Sequence, residues 1–497
     1  MGRKVNRFRC IIPNSLVDYV DLDSRGIASK YKIAHFLSIV TNHVLSNYPD
    51  GDYYLKKPIT SDYLSFLYTL RYTKQVVFPL RTDGVIEVND SYSTDLSFCK
   101  EYGFNKDIIQ ELIGEEYTEV YIIKNTLINR INDWQRETLS RQIKKYRFIE
   151  TEADMLLNLS IDTTALEQLY SQRIEDIKQS DKKNKKLAIT NATRHKEEIL
   201  QLTEAKDLLD ARVRYIKGRV YHPFVQCPRE YRKAVVDDEG QPYVEVDLRS
   251  SQAVFLCKVI AVALKHKLIT FKVGKQAMAS KNLIGQIIPL LDEPISVLEE
   301  GVYPSDFRAF VSAVFFDDLY ENADPENISQ NAHMQVGDEV YLVHSSARIS
   351  GSKTLVGDQR DDAKRLFFKE IFFNYFNKEN YGVKGQLSIS SEYLEDFAKT
   401  YYTVYEFCRI CALQSKEGKK KSRDLALLLQ QTESKFFHEK IRSKIDDPIN
   451  IKYMVVHDAI YCSGKDSEIL LSILKSASED YFGIIPNFNL KDQINLR

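Results

Sequence analysis

The sequence lacks most of the features that would assign it at once. Its seven cysteines (Cys10, Cys99, Cys227, Cys257, Cys408, Cys411 and Cys462) are scattered and odd in number. That argues against a disulfide framework and for reduced thiols. The start, Met1-Gly-Arg-Lys-Val-Asn-Arg-Phe, is basic with no apolar stretch behind it, so no signal peptide is expected. The most apolar helix-forming run, 253–264, is interrupted by Lys258 and is too short to span a membrane. These absences make a cytoplasmic protein without membrane contact the expectation. A net charge of -1 gives no global attraction for nucleic acid, so any basic surface has to be local.

What is present describes a globular chain. Hydrophobic residues make up 43% and charged residues 28% of the 497 positions, a length that predicts two to four subdomains. Residues 1–150 read as a small mixed α+β domain of unassigned role. Strand-like runs flank an Asp83-Gly84 turn, and a helix is predicted over about 123–148, carrying the only tryptophan, Trp134. Residues 151–217 contain neither proline nor glycine. Their apolar spacing predicts two antiparallel helices around a cationic tip, Lys178-Gln-Ser-Asp-Lys-Lys-Asn-Lys-Lys. A solvated hairpin and a protrusion that touches a phosphate backbone both fit that tip.

Beyond Gly218, short strands alternate with helices. Tyr243-Val-Glu-Val-Asp-Leu places Val244, Val246 and Leu248 on one face and Glu245 and Asp247 on the other. Ser250 and Ser251 are expected to cap the next helix. Helices are predicted over about 392–413, 422–445 and 467–481. Tyr453-Met-Val-Val-His-Asp-Ala-Ile-Tyr-Cys reads as two buried strands around a tight turn. Within a helix predicted over 358–377, Arg360, Lys364, Phe368 and Phe372 recur every four residues and so share one stripe. Two cations followed by two rings match the layout of a nucleoside triphosphate. An ordinary amphipathic helix, with Arg360 and Lys364 paired to Asp361 or Glu370, fits the same spacing.

The stripe lies between Asp247 and Asp458 in the chain. Nucleotidyl transfer by two Mg²⁺ ions needs two carboxylates on neighbouring strands, with substrate phosphate completing the shell. Asp247 at a strand end and Asp458 at a hairpin turn suit that requirement.

The ordered set Gly218-Arg219, Val246-Asp247-Leu-Arg-Ser-Ser-Gln252, Arg360-x3-Lys364-x3-Phe368-x3-Phe372 and Val456-His457-Asp458 resembles the family A DNA polymerases and phage-type single-subunit RNA polymerases. Divergent phage and mobile-element members look most similar, through a helix reading Leu429-Gln430-Gln431-Thr432-Glu433-Ser434. The resemblance covers about the last 280 residues. It implies a right-hand α+β polymerase fold: a helical thumb at 151–217, palm at 218–268 and 446–497, and fingers with an insertion at 269–445. It implies Asp247 and Asp458 as catalytic metal ligands for two Mg²⁺, with Mn²⁺ an alternative. Arg360 and Lys364 would hold the triphosphate, Phe368 and Phe372 would pack on nucleotide and template base, and Gln252 would face the sugar. Arg219, His457 and either Gln430 or Gln431 would touch the primer-template. Partners would then be a DNA or RNA template-primer and nucleoside triphosphates.

Three positions depart from the family pattern. Gln252 stands where DNA enzymes have glutamate, Phe372 where a tyrosine is usual, and Ala459 where DNA enzymes have a glutamate after His-Asp. A polymerase favouring DNA synthesis is the expectation. A primase-like or single-subunit RNA polymerase is the nearest alternative, and a non-catalytic nucleic-acid-binding replication protein is the alternative of another class. Cys408-x2-Cys411 lacks a second ligand pair and Gly351-Ser-Lys-Thr lacks a phosphate loop's spacing, so neither is read as a site. Lys416-Glu-Gly-Lys-Lys-Lys-Ser-Arg423 reads as a basic loop.

Overall fold

The computed structural model describes residues 8–21, 27–47, 56–69, 71–90, 99–114, 116–180, 185–205, 211–216, 218–271, 277–316, 332–336, 339–343, 397–414, 423–445 and 451–491. The expected stripe helix at 358–377 lies outside them. The chain divides into two units, residues 1–147 with 163–210 and residues 148–162 with 211–497, each around its own apolar core.

In the first unit the strand Phe8–Pro13 pairs antiparallel with Tyr117–Ile122, and the helix Ile27–Asn47 packs on them. The helix predicted over 123–148 runs from Asn125 to Lys145. Around Asp83-Gly84 only one arm is a strand, Ile86–Asn89; the other is helical, Thr73–Val77 and Phe78–Thr82. β-branched Val76 and Val77 favour strand locally, but both are buried against helices, and tertiary packing decides. Helices Thr163–Gln179 and Lys185–Leu202 pair Glu167 with Lys196 and Tyr170 with Thr193, so they run antiparallel. Lys186 ties this pair to the strands: its ammonium lies 4.3 Å from the Tyr117 ring centroid and donates to the Tyr117 carbonyl at 2.9 Å.

The second unit is built on a four-stranded antiparallel sheet. Its strands are β1 (Val244–Leu248), β2 (Tyr453–Val456), β3 (Ala459–Cys462) and β4 (Phe488–Lys491), in the order β2-β3-β1-β4. Alternation along β1 holds: Val246 and Leu248 enter the core that α1 (Ser251–Lys265), α2 (Arg423–Lys435) and α3 (Ser467–Phe482) share. The lysine that interrupts the apolar run of α1 is fully buried. Lys258 donates to the carbonyls of Glu293 (2.6 Å) and Tyr481 (2.7 Å), and burial pulls its pKa down to about 7. It thus binds α1 to α3 through orphan carbonyls that an aliphatic side chain would leave unmet.

The expected serine cap of α1 does not form. Ser250 adopts the left-handed region (φ 51°) with no side-chain cap, and the Ser251 hydroxyl donates to Glu433 instead. Among the described residues, no helix is long and apolar enough to cross a membrane.

Candidate active site

β1 and the β2-β3 hairpin bring the two candidate aspartates together. Val456 pairs with Ala459, which leaves His457-Asp458 as a two-residue turn with His457 left-handed (φ 58°). On β1, Asp247 pairs with the same Ala459, and the Leu248 amide donates to the Asp458 carbonyl at 3.0 Å. The two backbones are therefore neighbours, Asp458 standing one residue before the cross-strand partner of Asp247. Every residue of β2 and β3 is buried, so the turn that carries Asp458 is held by the core.

Asp247 does not stand alone. Lys491 on β4 bridges two carboxylates, with its Nζ 2.5 Å from Asp247 Oδ2 and 3.1 Å from Glu245 Oε1. Glu245, 5% exposed, also accepts a forked pair of bonds from Arg229 (3.2 and 2.9 Å) and the Tyr461 hydroxyl. Arg232 donates in turn to the Tyr461 oxygen at 3.1 Å. Burial pushes the Glu245 carboxyl up, but Tyr461, Lys491 and Arg229 outweigh it and hold the group below its ordinary range.

A second polar cluster forms where α1 meets α2. Glu433, 2% exposed, accepts from the Ser251 hydroxyl and the Gln252 amide, both at 2.7 Å. A carboxylate only accepts, so the Gln252 NH₂ faces Glu433 and its carbonyl is the end left over. Arg219 Nη2 lies 3.9 Å from Glu433 Oε1, and its buried Nε has no hydrogen-bond partner among the described residues. Burial raises the Glu433 pKa, and Ser251, Arg219 and Gln252 only partly counter it. Gly218, at φ 85°, lets this strand press on α2: a Cβ there would meet Gln431 Cγ at 2.6 Å and its backbone nitrogen at 3.0 Å. Gln431 is thus the glutamine beside Gly218-Arg219, and Gln430 sits one step round the helix, half-buried.

His457 is part-buried with its ring edge toward Tyr221. Burial first, then Arg219, Arg232 and His438, bring its pKa down to about 4, so the ring is neutral at neutral pH. His438, on the π-helical turn Phe436–Lys440 that follows α2, is hydrogen-bonded to buried Glu152 at 2.9 Å and stacked on Phe148.

The structure therefore brings Asp247 beside Asp458, and Gln252 beside Arg219 and the Gln431 turn of α2. Arg360, Lys364, Phe368 and Phe372 lie outside the described residues. Sequence reasoning missed Glu245, Lys491 and Glu433 as site neighbours. Glu245 was detectable as the residue sharing Asp247's face, and Glu433 as the acid of the Leu429-Gln-Gln-Thr-Glu-Ser434 helix. Lys491 gave no local signal. Cys408 and Cys411 are both buried on the helix Tyr402–Gln414, and burial pushes the Cys408 thiol up to about 12.

The donor set suits a hard divalent cation. Asp247 on β1 and Asp458 in the adjoining β2-β3 turn each carry a carboxylate, and the Lys491 ammonium already stands as a cation on Asp247. No group of three histidine, cysteine or acidic side chains that could hold a metal occurs among the described residues, so substrate phosphate and water would have to complete the shell.

No family model matches the chain, and no curated protein matches it in sequence. Among solved structures it is similar to the POL domain of Pol1 from M. smegmatis, solved in complex with DNA primer-template and dNTP. The likeness is distant: 12% identity over 73% of this chain and 72% of that one, with a TM-score of 0.38.

Proposed function

We propose that this chain is a nucleic-acid polymerase that transfers nucleotides to a 3′-hydroxyl, with DNA synthesis favoured. The observation that carries the reading is the pairing of β1 with β3, which sets Asp247 next to Asp458 at one end of a buried sheet. Asp247 and Asp458 would hold two Mg²⁺ ions, whose chemistry when bound would be to stabilise the charge that develops as phosphoryl is transferred. The turn of β2-β3 orients Asp458, and neutral His457 beside it offers a hydrogen-bonding edge to the primer terminus without adding charge. The partly exposed Arg219 side chain offers a cation to the nucleic acid. Gln252, held by buried Glu433, supplies fixed bulk at the sugar, which favours deoxyribonucleotides over the RNA-synthesising alternative.

Incorporation of labelled dNTPs and rNTPs on primed and unprimed templates with Mg²⁺ tests this. The expected result is dNTP incorporation on primed template, lost on the order of a thousandfold or more in Asp247→Ala or Asp458→Ala. Gln252→Gly is expected to raise ribonucleotide use. If the parent protein incorporates neither sugar type on any template, the enzyme reading is wrong and the non-catalytic binding protein takes its place.

A further inference from the structure

Lys491 has no part in the metal chemistry just described, yet it occupies the oxygen that chemistry needs. Its Nζ sits 2.5 Å from Asp247 Oδ2, closer than to any other group it bridges. The placement follows from register: on β4, Asn489 pairs with Asp247 and Lys491 with Glu245, so the lysine stands directly across from Glu245 and reaches diagonally to Asp247. A monovalent ammonium and a divalent cation cannot share one carboxylate oxygen at contact distance without strong repulsion.

We infer that Lys491 is a resident counter-cation of Asp247 that an arriving divalent ion displaces, and that Glu245 is the carboxylate that keeps the released ammonium. The inference rests on the metal-binding reading of Asp247. Glu245 is suited to the second role because Arg229 and Tyr461 hold its carboxyl in place and it already touches Lys491 at 3.1 Å. The ammonium therefore moves between two anions on one sheet face instead of entering solvent. Before the metal arrives, it keeps the Asp247 charge neutralised and the side chain in place. Lys491 is accordingly a positioning residue that sets the metal concentration at which the site fills.

The test is Mn²⁺ binding to the full chain without nucleotide or nucleic acid, followed by the electron paramagnetic resonance signal of free Mn²⁺. Lys491→Met is expected to bind Mn²⁺ about tenfold tighter than the parent, because competition at one oxygen is removed. Lys491→Arg, which keeps the charge, should bind no more tightly than the parent. Lys491→Gln serves in the same role if methionine costs the fold. Asp247→Asn should lose the site. If Asp247→Asn abolishes binding but the neutral Lys491 variants bind at parental strength or weaker, the counter-cation role is overturned while the metal reading stands. If Mn²⁺ binding in the parent does not depend on Asp247, both fall.

Discussion

Glu433 shows how a single residue can work against stability and for a site. It is a carboxylate in a nearly closed environment, and desolvation is the largest influence on it, so its pKa is raised. A folded-state pKa above the unfolded value means a contribution to stability that is full below the unfolded pKa and is lost as pH rises through the folded one. Wherever it is ionised the group is thus a cost, offset by two short hydrogen bonds and a distant guanidinium. Glu433→Gln keeps an acceptor for Ser251 and Gln252 without the charge. It is expected to melt higher than the parent at pH 7, with the gap narrowing as pH falls below the Glu433 pKa. Thermal unfolding followed by circular dichroism from pH 4 to 8 checks this. A variant that melts lower at pH 7 would mean the Arg219 pairing outweighs burial. Such tension between charge and burial is concentrated at functional sites.

At the scale of elements, the contact of the Gly218-Arg219 strand with α2 depends on the absence of one methyl group. Gly218→Ala places a side chain at φ 85° and a Cβ within 2.6 Å of Gln431. It is expected to cost about 3 kcal/mol, from the left-handed conformation plus the displaced helix. Gly84→Ala, at φ 70° with nothing within 4 Å, carries the conformational part alone and should cost about 1 kcal/mol. Urea denaturation of both variants separates the two contributions, and equal losses would mean that α2 yields freely. The same elements show where sequence was informative. β1, β2, β3 and the turn at His457-Asp458 were legible because alternation and apolar runs are local signals, and helix 467–481 appears as Ser467–Phe482. The arm before Asp83-Gly84 misled because its β-branched residues pack among helices. The Lys491-Asp247 contact was invisible because it spans 244 positions and arises only from the order of strands in the sheet.

For the whole molecule, 69 basic against 70 acidic residues leave nothing for long-range attraction of a polyanion. If the chain binds primer-template as proposed, the energy must come from a few local cations such as Arg219, and its salt dependence should count them. Each phosphate neutralised on duplex DNA contributes about 0.9 to the slope of log K against log salt concentration, so a groove with about five contacts gives a slope near -4.5. Fluorescence anisotropy of a labelled primer-template across a salt series measures it. Asp247→Asn and Asp458→Asn remove anions from the path of the nucleic acid, so they should leave that slope unchanged and the affinity equal or higher, even while synthesis is lost. Affinity that falls in step with activity would tie the two aspartates to holding the duplex rather than to the chemistry. A slope near zero would remove the local basic surface on which a nearly neutral chain must rely, and with it the polymerase reading.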